Sequence, residues 1–250
     1  MKSLKQYLNE ALVSRKIAMH RTLFPQNRKE LEIMIADEME ENGNECSLNH
    51  IDVSKIEDMT MLFSGSTKIV NSNNKEIWLG DFNGDISNWN VSNVTDMSYM
   101  FANSKYTGEN GDLSEWDVSK VRDMKYMFQK SIYSGKFTKW KTSSLRYCDG
   151  MFNNSKFDGD LSMLDTSKVT SFRGMFEYSE YTGQHGDISK WDVTSCKTME
   201  SMFESSMFSG DISKWKPAKC CFVANMFKHS PLARRKPEWI KKAVNSKIIY

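Results

Sequence analysis

The stretch Gly84-Asp85-Ile86-Ser87-Asn88-Trp89-Asn90-Val91-Ser92-Asn93-Val94-Thr95-Asp96-Met97-Ser98-Tyr99-Met100-Phe101 decides how the whole chain is read. Its ending recurs at Leu62-Phe63, Met100-Phe101, Met127-Phe128, Met151-Phe152, Met175-Phe176, Met202-Phe203 and Met226-Phe227. Successive phenylalanines are 38, 27, 24, 24, 27 and 24 residues apart. A period of that size marks a repeat protein. Later copies open at Gly111, Gly135, Gly159, Gly186 and Gly210; the first copy is degenerate, running from about Cys46 through Leu48, Ile51, Ile56 and Met59 to Phe63.

Each copy reads as two pieces. The Gly-Asp-Ile/Leu-Ser stretch, with one apolar residue among polar ones, suits a very short strand with one buried face. From Val94 onward the apolar positions Val94, Met97, Met100 and Phe101 make one face of a short helix. Ser92 or Thr95 is placed to cap it. One such unit cannot bury its apolar face, whereas stacked units cover one another. The expected fold is therefore an α/β repeat solenoid of short parallel strands and short helices. Six positions stay apolar almost throughout, as in Leu113, Trp116, Val121, Met124, Met127 and Phe128. Burial of each contributes about 1.5–3 kcal/mol before entropy is subtracted. The chain holds 17 Met, and most fall in these slots, where an unbranched thioether fills irregular gaps.

The regions outside the repeat define the domain plan. Residues 1–22 form a helical stripe through Leu4, Leu8, Ala11 and Leu12, an extra cap or a docking tag. Residues 23–45 contain a capping helix, Pro25 preceding Arg28–Glu41 with Leu31, Met34, Ile35 and Met39 on one side. Seven repeats occupy residues 46–230, interrupted near 67–82 by an insertion that reads as a hairpin, Lys68-Ile69-Val70 against Ile77-Trp78-Leu79. Two shorter insertions, Tyr106–Gly111 and Tyr181–Gly186, match each other. Residues 231–250 form a basic C-terminal cap in which Pro237 starts a helix bearing Trp239, Ile240 and Val244. The caps shield the ends of the stack.

Composition removes several classes. With 39% hydrophobic and 26% charged residues among 250, the chain can build a core. No apolar run reaches the roughly 18 residues of a membrane span, and the start lacks a signal peptide's apolar stretch. The formal charge of +2 divides into −1 over residues 1–50, −3 over 51–227 and +6 over 228–250. The basic tail would suit an acidic partner, nucleic acid or anionic lipid, but such a run is more often a solvated cap face.

The string Gly-Asp-Ile-Ser-x-Trp-x-Val-Ser-x-Val-x-x-Met-x-x-Met-Phe resembles the BspA-like leucine-rich repeat family, the "surface protein" repeat of bacteria and their phages. Leu48 to Ser54 followed by Met59 and Phe63 resembles that family's N-terminal unit, and Ser230-Pro231-Leu232 before a Trp-containing helix resembles its usual ending. The resemblance covers about Pro25 to Val244. It implies a leucine-rich-repeat-like stack with helical caps at both ends, used for binding other proteins. The first twelve residues, Met1 to Leu12, also look like the leader of various proteins of gut-bacterial phages.

The candidate partner-binding face is the presumed strand ladder: Asp85, Ser87, Asp112, Ser114, Lys136, Thr138, Asp160, Ser162, Asp187, Ser189, Asp211 and Ser213. In-register strands would place these about 4.8 Å apart per step, for polar groups of a protein partner. The alternative is that each Asp bonds backbone amides of its own turn. The column Trp89, Trp116, Trp140, Trp191 and Trp215 accepts Leu164 in the fifth copy, which suits packing. Cys196 and Cys220 fall in the Val slot and Cys148 in a Met slot, so these three are expected to be buried. Free thiols and the missing signal give an expectation of a cytoplasmic or virion-associated protein.

Catalytic chemistry has no foothold. His20, His50, His185 and His229 are scattered, and no phosphate-cradling loop or nucleophile motif occurs. No Cys-x-x-Cys or His–Cys cluster offers a metal site, so no metal and no cofactor is expected. The reading is a non-enzymatic protein–protein interaction scaffold. Its alternatives are a phage structural component attached through the N-terminal helix and a nucleic-acid binder using the basic tail.

Overall fold

The computed structural model describes residues 22–240. The expectations for the first helix and for the last ten residues of the basic tail fall outside them.

Helix α1, Arg28–Asn42, begins where the Asn27 side chain accepts the Glu30 amide. It buries Leu31, Ile35, Ala36 and Met39 and stops at Gly43, whose N–H still donates to the Met39 carbonyl while its φ of 86° turns the chain out of the helix. The large insertion does form a hairpin. Strand β1, Lys68–Val70, pairs antiparallel with β2, Glu76–Trp78, in the register Lys68↔Trp78, Ile69↔Ile77, Val70↔Glu76. Asn71 shapes its turn by accepting the Asn73 and Lys75 amides. The hairpin packs on α1, and the Ser72 hydroxyl donates to Asp37 at 2.6 Å.

The expected solenoid of parallel strands and helices does not form. Among the described residues, α1 and the two-stranded antiparallel hairpin are the complete regular elements beyond three 3-10 turns, Leu79–Asp81, Ile188–Lys190 and Pro231–Arg234. The last described residues, Glu238 to Ile240, are helical. The copies themselves are built from turns. In the segment read as a helix, Tyr99 and Asn103 sit at φ 57° and 54°, in the left-handed region that interrupts an α-helix. The pairs Tyr126/Lys130, Gly150/Asn154, Gly174/Tyr178 and Ser201/Ser205 do the same in later copies.

The amides explain why. Met97, Tyr99, Phe101 and Asn103 donate outward to the carbonyls of Asp123, Lys125, Met127 and Gln129 in the next copy. Of the remaining amides, Ser98 donates to the Asp96 carboxylate, and Met100, Ala102 and Ser104 donate three residues back within their own turn. No amide is left for an i−4 ladder. Turns closing every three residues give the same Met-x-x-Met spacing as a helix face, which is why the two are confused in sequence. The stack is registered by single parallel bridges, Asp58↔Asp96↔Asp123↔Tyr147↔Ser171↔Thr198↔Phe222. That line runs through the segment read as helical. The Gly-Asp-Ile-Ser segment, read as a strand, is a turn in which Trp89 N–H donates to the Ile86 carbonyl.

Identical slots lie above one another in the core. Phe63, Phe101, Phe128, Phe152, Phe176, Phe203 and Phe227 form one column with ring centroids 5.5–6.0 Å apart at every step. A second buried column, Phe82, Tyr106, Tyr133, Phe157, Tyr181 and Phe208, runs beside it. The two columns stack directly on each other, and in the chain between them stand buried serines, Ser104, Ser131, Ser155, Ser179 and Ser206, each accepting the amide two residues on. The Trp column is tied by hydrogen bonds as well as packing: each indole N–H donates to a carbonyl of the preceding copy, as Trp116 does to Ile86 at 3.1 Å. Trp239 continues this column by donating to Ile212 at 2.9 Å, so the C-terminal segment caps the stack by imitating a further copy.

Phe128 touches rings of its own column and the next and is fully buried. Phe128→Ala is expected to cost about 3–5 kcal/mol in urea unfolding. A loss under about 1 kcal/mol would contradict the stacked register.

Candidate functional site

The carboxylates of the twelve-residue ladder serve their own turns. Asp85, Asp112, Asp160, Asp187 and Asp211 each accept the amide two residues on, from Ser87, Ser114, Ser162, Ser189 and Ser213, at 2.8–2.9 Å. Two further columns repeat the device. Asn90, Asp117, Asp165 and Asp192 accept from Ser92, Ser119, Ser167 and Thr194, and Asp58, Asp96 and Asp123 from Thr60, Ser98 and Lys125. Three corners of the coil are thus made by Asx turns. The bonds of Ser189 and Ser213 hold the carboxyls of Asp187 and Asp211 below the ordinary value of 3.8. The leading glycines also belong to this corner. A Cβ at Gly111 would collide with the Asp85 carboxylate of the copy before, and one at Gly186 with that of Asp160.

From the second copy to the seventh, one position breaks the column. In the fourth copy Lys136 stands where five others carry Asp, exposed and without an ion pair among the described residues. It lines an open cleft of about 420 Å³ together with Thr138, Asp158, Asp160 and His185. The two matching insertions bound this stretch. Gly108 of the first lies against Gly135, and Ser134 N–H donates to Thr107. His185 of the second approaches Asp158 to 3.6 Å. Both loops hang from one kind of anchor: Asn83 Oδ1 accepts the amide and hydroxyl of Thr107, and Asp158 accepts those of Thr182. Of the sequence candidates, the structure therefore gathers Lys136, Thr138 and Asp160 at one cleft and spreads the others along the turn corners. Asp158 and His185 escaped the sequence reading. The 24-residue interval that relates Thr107 to Asn83 and Thr182 to Asp158 is the signal that finds the anchor.

A separate exposed strip lies along the bridge line. Tyr99 and Tyr126 stack at 4.9 Å, and Lys125 Nζ lies 4.3 Å above the Tyr147 ring. Tyr126 covers Gly150, whose missing side chain makes room for the ring.

The cysteines need one correction. Cys148, Cys196 and Cys221 are buried, whereas Cys220, expected in the Val slot, is exposed. The last copy is one residue shorter between that slot and its bridge. Cys196 precedes bridging Thr198 by two residues, but Cys221 precedes bridging Phe222 directly. Cys221 N–H closes on Ala218 as Cys196 N–H does on Val193, so Cys221 holds the slot. Register counted back from Phe227 misses this shift. Among the described residues no group of three His, Cys, Asp or Glu side chains is arranged to hold a metal, and no helix is long and apolar enough to cross a membrane.

These features define a turn-built repeat protein with open, mixed-polarity surfaces. A family described as "Mycoplasma protein of unknown function, DUF285" matches residues 29–156 and again residues 130–239. The two matches together span most of the chain, and the chain belongs to this family. No curated protein and no solved structure matches it.

Two measurements check the geometry. Thiol labelling of the native chain should modify Cys220 quickly and leave Cys148, Cys196 and Cys221 slow; fast labelling of Cys221 would refute the shifted register. The hydroxyl and then the amide of Thr194 depress the Asp192 carboxyl below its ordinary 3.8. A folded value below the unfolded one contributes stability that is present above the unfolded pKa and lost as pH falls through the folded one. Asp192→Asn keeps the turn, since Asn90 makes the same bond in the second copy. The variant should show a shallower loss of urea resistance between about pH 5 and pH 2, and an unchanged slope would remove Asp192 from the acid response.

Proposed function

We propose that this chain is a BspA-like surface-repeat protein whose work is to bind another protein, without catalysis, through its repeat surface, with the Lys136 cleft as the anchor. The observation that carries the reading is Lys136 itself, an exposed cation with no ion pair among the described residues, standing in the slot that five other copies fill with Asp, beside a cleft lined by Thr138 and His185. Its five counterparts are absorbed in turn bonds and offer little to a ligand. The partner's complementary group is an acidic side chain. A preformed surface supports such binding because little chain entropy is lost on association. The likeness of the motif to BspA-like repeats supports the same class of activity.

Lys136→Asp tests this with little risk to the fold, because Asp is the residue the other copies use at that position. Partners captured by the wild-type chain should be recovered at least about tenfold less by the variant, the weight of one well-placed charge contact of roughly 1.4 kcal/mol. They should still be recovered by a chain lacking residues 1–22. Equal capture by the Asp variant would overturn the cleft. Loss on removing residues 1–22 would point instead to attachment through that segment, and salt-sensitive binding to DNA or RNA would point to the basic tail.

A further inference from the structure

We infer that Cys196 and Cys221 form an oxidative modification site, an intramolecular disulfide closed by hydrogen peroxide between the sixth and seventh copies. The two sulfurs lie 3.7 Å apart, both side chains are buried, and both thiols are free. They occupy the same slot of adjacent copies, the slot held by Val94, Val121, Leu145 and Val169 earlier in the stack. Registered neighbours in such a ladder lie about 4.8 Å apart along the stack, inside the Cα range of about 4.4–6.8 Å that a disulfide spans. The bridge Thr198↔Phe222 holds the two backbones together immediately beyond the pair.

The other thiols are engaged or placed differently. Cys148 donates to the Ser171 carbonyl, and burial pushes the Cys46 thiol up to about 11. Cys220 is directed outward. A hydrophobe would fill the slot as well as it does in the copies before, so two consecutive thiols here serve no packing need that valine does not.

The step balances with one peroxide. A thiolate of the pair attacks a peroxide oxygen, the O–O bond breaks, and sulfenic acid forms as the departing oxygen takes a proton and leaves as water. The second sulfur then attacks the sulfenic sulfur and expels hydroxide, which takes the second thiol proton and leaves as water. Two thiols are oxidised by two electrons and the peroxide is reduced to two waters. The pair lies at the last complete junction of the stack, where fraying of the terminal copy admits a small oxidant. The product ties the seventh copy to the sixth and constrains the unfolded chain.

The test uses the full chain with Cys220→Ser, which removes the exposed thiol and leaves the core untouched. After hydrogen peroxide treatment, intact mass should fall by about 2 Da, the bond's two lost hydrogens. Thiols alkylated in urea should drop from four to two. Peptide mapping should join the segments holding Cys196 and Cys221, and the urea midpoint should rise and return on reduction. Cys221→Ser added to this background should abolish the mass loss. The inference is overturned if four thiols survive oxidation, if the link involves Cys46 or Cys148, or if oxygen is added with no crosslink.

Discussion

Each copy divides its backbone amides between two partners, and this division governs the rest of the structure. Alternate amides of the segment ending in Met-Phe reach the next copy, while those between them close three-residue turns. Satisfying both sets forces two left-handed residues in each copy from the second to the seventh, which excludes a helix, and limits the pairing to single bridges, which excludes a regular sheet. Because the outward bonds have the same register at every junction, each side-chain slot lies directly over its counterpart. The two aromatic columns, the buried serine line and the Trp column all follow from that translation.

A strictly translated coil spends its polar residues on its own corners. The acidic columns look like binding ladders in the sequence, yet in space they make the Asx turns that bend the chain. Distinctive chemistry arises where a copy departs from the pattern. Lys136 replaces a turn-forming Asp beside an open cleft, and two successive thiols replace valines in the core. A locally broken rule in a consistent repeat is where function is expected to reside.

Much of this was legible in the chain itself. The period, the Phe and Trp slots, helix α1 and the hairpin all follow from spacing and turn chemistry. The second aromatic column lies five residues after the repeat phenylalanine from the second copy to the sixth, a spacing masked by the insertions that place Tyr106 and Tyr181 at the start of loops. The strand-and-helix reading failed because three-residue turns and one helix face share a spacing. The burial of Cys221 in place of Cys220 was out of reach, since a one-residue contraction leaves the Phe-to-Phe count unchanged.

The sequence by itself determined which residues are equivalent, which of them are apolar and therefore that copies must stack, because periodic composition sets what has to be buried. Only the tertiary structure decided where each backbone amide finds its acceptor. Hydrogen bonds between copies join residues 23 to 28 positions apart, and 37 to 39 apart across the large insertion. No local pattern encodes that choice, and it separates a coil of turns from a stack of strands and helices.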